Sequence, residues 1–244
     1  MAGAAVRSVL GAIQFLTVLP IRGETVPPGR AAVFFPIVGA WLGLLGAAVY
    51  EALRPHVPFA ALLVVVVWIL VTGALHEDGL GDVADGVRAG RTPERIAAIM
   101  EDSRVGTYGA AAIVVSVLVR WNAVAALPPP VTPKLVAALA LSRASMVLLG
   151  WASRPYGEGI GTVFMSGLTT PVAAAVIVQA LAASFLCGPM AGVVLAGAAG
   201  AVVLVARAWF HARLGGVTGD CMGATGQVVE MVSLVLLSCA ACTS

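Results

Sequence analysis

Long apolar runs separated by short polar segments set the pattern of this chain. A helix that crosses a bilayer needs about 20 mostly apolar residues, within a range of about 17–25. Seven segments meet or approach that length: 31–53, 59–75, 107–127, 134–151, 171–187, 190–210 and 226–242. The clearest is FAALLVVVVWILVTGAL, Phe59 to Leu75. A further apolar run over 9–19 ends at Pro20 and is too short to span. It reads as an interfacial or re-entrant helix retained in the mature protein, because no small-x-small cleavage site follows. The pattern predicts an all-α fold: one domain over 1–244, a polytopic transmembrane bundle of about seven spanning helices with short helices on the cytoplasmic side.

Composition agrees. Apolar residues make up 60% and charged residues 11% of the 244 positions, whereas a soluble domain carries about 25% charge. Too few polar side chains remain to coat a surface in water, so the partner is the lipid bilayer. The net charge of +2 gives no footing for nucleic acid, and no nucleic-acid partner is expected. Of the four cysteines, Cys239 and Cys242 form a CxxC in an apolar run without a nearby histidine, and they read as packing thiols. The oligomeric state is open, with room for a homo-oligomer.

Seven crossings place Arg7, Arg22, Arg30, Arg88, Arg91, Arg95, Arg104, Arg154, Arg207 and Arg213 on one face. Only Arg54 and Lys134 fall on the other. The excess of positive charge marks the first face as cytoplasmic. Arg120, Arg143 and Glu230 sit inside apolar runs. Charges at that depth face the bundle interior or a wet cavity, or else they snorkel from a helix end.

Seven of the twelve acidic residues fall between Glu77 and Asp102. The segment opens HEDGLGDVADG, from His76 to Gly86. Asp78, Asp82 and Asp85 are spaced i, i+4, i+7, which on a helix gathers them within about 60° of arc. Three carboxylates on one stripe repel one another. A divalent cation with a preference for hard oxygen ligands, Mg²⁺ or Mn²⁺, relieves that repulsion. The alternative is a solvated acidic helix face. Downstream, Thr92 and Pro93 cap and start a predicted helix over 93–101. That helix delivers Asp102, Ser103 and Arg104 to its end, an acid for a metal and a guanidinium for a phosphate, or a plain surface ion pair. LGGVTGDCMGATGQ, Leu214 to Gln227, reads as a tight loop whose backbone N–H groups could cradle an anion. It is no Walker A motif, because GK[ST] is absent. His76 is a candidate general base or a boundary residue. Together these residues point to a metal-dependent phosphotransferase within a membrane.

HEDGLGDVADG (76–86), MEDSRVGTYG (100–109) and LGGVTGDCMGA (214–224) resemble the cobalamin synthase, or adenosylcobinamide-GDP ribazoletransferase, family. FLTVLP (15–20), FFPIVGAWLG (34–43) and Ser142–Arg143 add support, so the resemblance covers nearly the whole chain. Glu77 and Tyr108 depart from the family pattern; Glu77 would add an acid to the site. The resemblance implies the last assembly step of vitamin B12 synthesis at the inner membrane. Adenosylcobinamide-GDP and α-ribazole, or its 5′-phosphate, are the corrinoid and nucleotide substrates, and the products are adenosylcobalamin, or its 5′-phosphate, and GMP. Mg²⁺ is the implied cofactor, held by Asp78, Asp82, Asp85 and Asp102. Asp82, Asp85, Asp102, Arg104 and His76 are the candidate catalytic residues. Arg88, Ser103, Arg143, Gly215, Gly216, Gly219 and Asp220 are the candidate substrate-binding residues. The D-x-x-D-G string at Asp82–Gly86 also resembles CDP-alcohol phosphotransferases. A transporter with an acidic gate is the rival of another class.

Overall fold

The computed structural model describes residues 2–21 and 25–239; Arg22, Cys242 and the last residues of the seventh predicted span lie outside it. Among the described residues all regular structure is helical. In chain order the helices are α1 (Ala2–Leu16), α2 (Pro28–Ala31), α3 (Phe35–Leu53), α4 (Ala60–Thr72), α5 (Leu75–Ala89), α6 (Pro93–Met100), α7 (Thr107–Ala125), α8 (Thr132–Trp151), α9 (Ile160–Ser166), α10 (Thr170–Phe185), α11 (Pro189–Arg213) and α12 (Gly219–Ser238).

Five stretches are long and apolar enough to span a membrane: Pro28–Leu53, α7, α8, α11 and α12. Two more spans follow if the bent pairs α4–α5 and α9–α10, broken at 90° and 95°, each count as one. The protein is a multi-pass membrane bundle. At the first break Gly73 and Ala74 both take positive φ. Gly73 adopts the left-handed conformation at no steric cost, and the chain turns there instead of extending α4.

α8 is the central helix, with nearly every side chain buried. α3 lies against it through Gly39 and Gly43, a small-xxx-small pair of the kind that lets helix backbones touch in lipid. A Cβ on Gly39 would come within 2.3 Å of the Leu139 carbonyl oxygen, and one on Gly43 within 2.5 Å of that of Leu135. Trp68 of α4 fills the notch beside Gly46 and donates from Nε1 to the Leu42 carbonyl at 2.9 Å.

The two bent helices collect at one end of the bundle. Gly29 abuts Phe164 and Gly167, Gly161 abuts Gly219, and the end of α8 at Gly150 meets Met165 and Leu168. Arg213, closing α11, donates to the carbonyls of Val87 and Gly90 at 3.0 and 3.2 Å. So α5 and α9 lie across the end where α8 and α11 finish and α3, α7 and α12 begin. α4 and α10 are the apolar legs of these bent pairs, at 13 and 16 residues each shorter than a full span.

The helix expected over 93–101 is α6. Thr92 caps it, accepting from the Arg95 N–H at 3.3 Å. Two expectations need correction. The stretch 214–227 is not a loop throughout, because α12 starts at Gly219, where the Thr218 hydroxyl caps the Cys221 N–H at 3.3 Å. The short N-terminal run is part of a longer helix, α1.

Candidate active site

α5 carries the acidic stripe as its spacing predicts. Asp78 is exposed, Asp82 half-buried and Asp85 buried. Asp85 ties α5 to the start of α7. Its Oδ2 accepts from the Gly106 N–H at 2.7 Å, where the carboxylate meets the positive end of the helix dipole. A Cβ on Gly109 would fall 2.3 Å from the same oxygen, so only glycine there admits the carboxylate. The other side of α5 meets α12. A Cβ on Gly79 would lie 3.0 Å from the Cα of Asp220, and one on Gly223 3.7 Å from the Cα of His76. This backbone contact brings Asp220 beside the stripe. Burial, and then repulsion from Asp78, Asp220 and Asp85, pushes the Asp82 carboxyl up to about 7.

Carboxylates that raise one another's proton affinity in this way suit a hard divalent cation. Among the described residues no three His, Cys, Asp or Glu side chains converge into a ready-made cation cage. Mg²⁺ characteristically takes one or two carboxylates and completes its shell with water and substrate phosphates. Asp78 and Asp82, with Asp220 beside them, match that donor set.

The other predicted residues separate into surface and interior. Asp102 and Arg104 stand just beyond α6 at the surface. Arg104 grips Asp102 through Nη2 at 2.6 Å and Nε at 3.0 Å, and its own N–H adds a third bond at 3.1 Å. These bonds hold the Asp102 carboxyl down at about 2. Ser103 is exposed between them. Asp102 is not among the carboxylates that press on Asp82. Arg88 is also exposed, 5.4 Å above the Tyr108 ring.

His76 and Arg143 are buried inside the bundle. Arg143 Nη1 lies 2.6 Å from Glu230 Oε2, Arg120 Nη1 3.2 Å from Glu230 Oε1, and Arg120 Nη2 2.8 Å from Glu77 Oε1. Two guanidiniums and two carboxylates thus balance within α5, α7, α8 and α12, and neither Arg120 nor Arg143 snorkels. The expectation that Glu77 adds an acid to the site is corrected. Glu77 is one residue from Asp78, about 100° around the helix, and it faces Arg120.

A cavity of ≈ 560 Å³ opens beside Asp220. Phe15, Phe35 and Phe164 form part of its wall, stacked pairwise with ring centroids 5.4–5.7 Å apart. Met100, Met146 and Met222 add sulfur, and the rim runs through Tyr156–Thr162 and Thr218–Asp220. Of the predicted glycines, Gly219 lines the cavity. Gly215 accepts from Arg154, and Gly216 abuts the carbonyls of Arg154 and Pro155 at the bridge between Pro155 and Val217. His76 and Arg143 do not line the cavity. Sequence reasoning missed the aromatic wall and the 156–162 rim. The run Y-G-E-G-I-G, Tyr156 to Gly161, was the available signal; three widely separated phenylalanines gave none.

Comparison with known proteins supplies the context. The chain is 36% identical over 233 residues to the adenosylcobinamide-GDP ribazoletransferase of Geotalea daltonii, covering 93% of this chain and 94% of the relative. It is 39% identical over 252 residues to that of Rhizobium meliloti, covering 95% and 96%. With that of Bradyrhizobium diazoefficiens it shares 39% over 243 residues, covering 92% and 90%. No solved structure matches significantly. The family model described as cobalamin-5-phosphate synthase matches residues 8–238. The chain therefore belongs to the cobalamin-5-phosphate synthase family, membrane transferases of cobalamin biosynthesis.

Proposed function

We propose that the protein joins adenosylcobinamide-GDP to α-ribazole, or its 5′-phosphate, and releases GMP, at the cytoplasmic face of the inner membrane. The observation that carries this reading is the backbone contact that sets Asp220 of α12 beside the Asp78–Asp82 face of α5 at one bundle end, next to a cavity that Asp220 also lines. The activity of the protein's relatives, adenosylcobinamide-GDP ribazoletransferases, suggests the substrates. The arginine excess on that face supports the orientation.

Asp78 and Asp82, assisted by Asp220, are the residues that would hold Mg²⁺. When bound, the ion supplies neutralisation of the diphosphate and of the departing phosphate. Asp85 keeps α5 in register with the start of α7. Arg104 and Arg88, both at the surface, stabilise charge on the transferring phosphoryl group and on GMP, and Asp102 orients Arg104. The ribose 3′-hydroxyl attacks the phosphorus that bears the aminopropanol arm. The new O–P bond forms, the bond to the GMP oxygen breaks and its electron pair leaves with GMP, and the hydroxyl proton passes to water at the open end of the bundle. His76 and Arg143 support the site from within the bundle and do not touch substrate.

The test is incubation of purified protein with adenosylcobinamide-GDP, α-ribazole and Mg²⁺. The reading expects equal amounts of GMP and a corrinoid product. No GMP from this mixture, with CMP released in a parallel incubation containing a CDP-linked alcohol, would overturn it.

A further inference from the structure

Resting on that reading, we infer that the ≈ 560 Å³ cavity is the acceptor subsite. The aromatic base of the nucleoside enters against the half-buried Phe15, which the buried Phe35 and Phe164 back, and its ribose stays at the mouth beside Asp220.

Charge decides between the two substrates. Three carboxylates line the space, Glu101, Glu158 and Asp220, and among the described residues no Lys or Arg does. A diphosphate, or the GMP half of the donor, would meet only like charge there. The donor's phosphates are served outside, by the exposed Arg88 and Arg104 and the stripe on α5. Any 5′-phosphate on the acceptor likewise remains outside. What suits the interior is a neutral, flat, polarisable group. Stacked aromatic rings and methionine sulfur are the side chains that bind such a group best.

Size points the same way. The volume falls within the about 300–1,000 Å³ typical of small-molecule sites, enough for a bicyclic base and its sugar. A corrin ring with its amide arms is far broader and must lie elsewhere. Asp220 links the two halves of the reaction. It lines the cavity, and its backbone packs against α5 at Gly79, one residue from Asp78. A ribose hydroxyl donating to Asp220 therefore emerges beside the place assigned to the diphosphate. At the rim, a Cβ on Gly161 would come within 2.6 Å of the Gly219 nitrogen. The α9 segment thus closes directly on the start of α12, and bulk there would prise the mouth open.

The experiment uses the full chain in lipid nanodiscs, α-ribazole as the probe, and the fluorescence of its base as the binding readout. Phe164→Ala removes a buried ring, and Tyr156→Ala, at the half-buried rim, covers the case in which the first variant fails to fold. Loss of a lining ring, or of the ring that backs Phe15, should raise the α-ribazole Kd, and the acceptor KM with it, about tenfold. The donor KM should stay within about twofold. Unchanged α-ribazole affinity in folded Tyr156→Ala and Phe164→Ala overturns the inference, as it would if the cavity held lipid; so does a rise confined to the donor KM. The two readings fail separately. Wild-type protein that binds α-ribazole but forms no GMP sinks the reaction and leaves the subsite. Normal turnover with variants that bind normally sinks the subsite and leaves the reaction.

Discussion

Glu77 and Asp78 are neighbours in sequence and opposites in setting. Glu77 belongs to an interior group in which two carboxylates, Glu77 and Glu230, face two guanidiniums, Arg120 and Arg143, at 2.6–3.2 Å. Asp78 belongs to an end group in which Asp82, Asp85 and Asp220 crowd together with no guanidinium among the causes acting on Asp82. The interior group is balanced, and removing one member strands a charge in a medium that cannot solvate it. The end group is unbalanced, and it gains when a cation arrives. One helix thus presents a finished electrostatic structure on one side and an unfinished one on the other, and the unfinished side is the one suited to bind.

That contrast can be broken in several ways. Asp82→Asn should lower turnover by about 10³-fold, the scale seen when one preorganised electrostatic group is lost. The variant should still fold, since it relieves repulsion. GMP release is the assay, and a near-normal rate would remove the acidic stripe from the chemistry. Arg143→Met should act on stability instead, costing about 3–5 kcal/mol by leaving Glu230 short of one partner. Denaturant unfolding in detergent would measure it. Arg143→Met with Glu230→Leu should be more stable than Arg143→Met alone, because Glu77 and Arg120 remain as a matched pair. A double variant no better than the single would mean that charge balance is not what holds the four helices.

Mg²⁺ should separate the two groups. At 100 times its Kd it should stabilise the wild type by about 2.7 kcal/mol, visible as a rise in Tm. The rise should vanish in Asp82→Asn and persist in the Arg143→Met and Glu230→Leu double variant. An equal rise in Asp82→Asn would place the cation elsewhere. Asp102→Asn should have the smallest effect. The pair with Arg104 is at the surface, so Tm should not move measurably. Because the Asp102 carboxyl is held down at about 2, any contribution it makes is complete above about pH 4 and lost only as pH falls through about 2. Its loss should lower turnover about tenfold by freeing Arg104, a size within the range for a charge-assisted bond. A clear drop in Tm would make it a structural pair instead.

Much of this was legible in the sequence, for identifiable reasons. Spacing at i, i+4, i+7 fixes Asp78, Asp82 and Asp85 on one face of any helix, so α5 could be read without a structure. Thr92–Pro93 marks the start of α6 by cap chemistry. The same geometry excludes Glu77 from the stripe, yet its proximity in sequence invited the wrong grouping. Thr218–Gly219–Asp220 has the cap and first-turn acid of a helix start, but the glycines around it resembled a loop. Arg143 looked like a substrate ligand because its partner, Glu230, lies far along the chain. The cavity wall was invisible for the same reason. Phe15, Phe35 and Phe164 come from three distant segments, and the close approach of Gly29 to Phe164 and Gly167 helps bring two of those segments together.

The charge network also imposes an order on biosynthesis. Glu230 belongs to α12, which leaves the ribosome long after Arg120 and Arg143. Until that helix inserts, the nascent bundle holds two guanidiniums against the single carboxylate of Glu77. Arrival of α12 discharges that excess and in the same movement sets Asp220 beside α5, so closure of the charge network and assembly of the acidic end coincide.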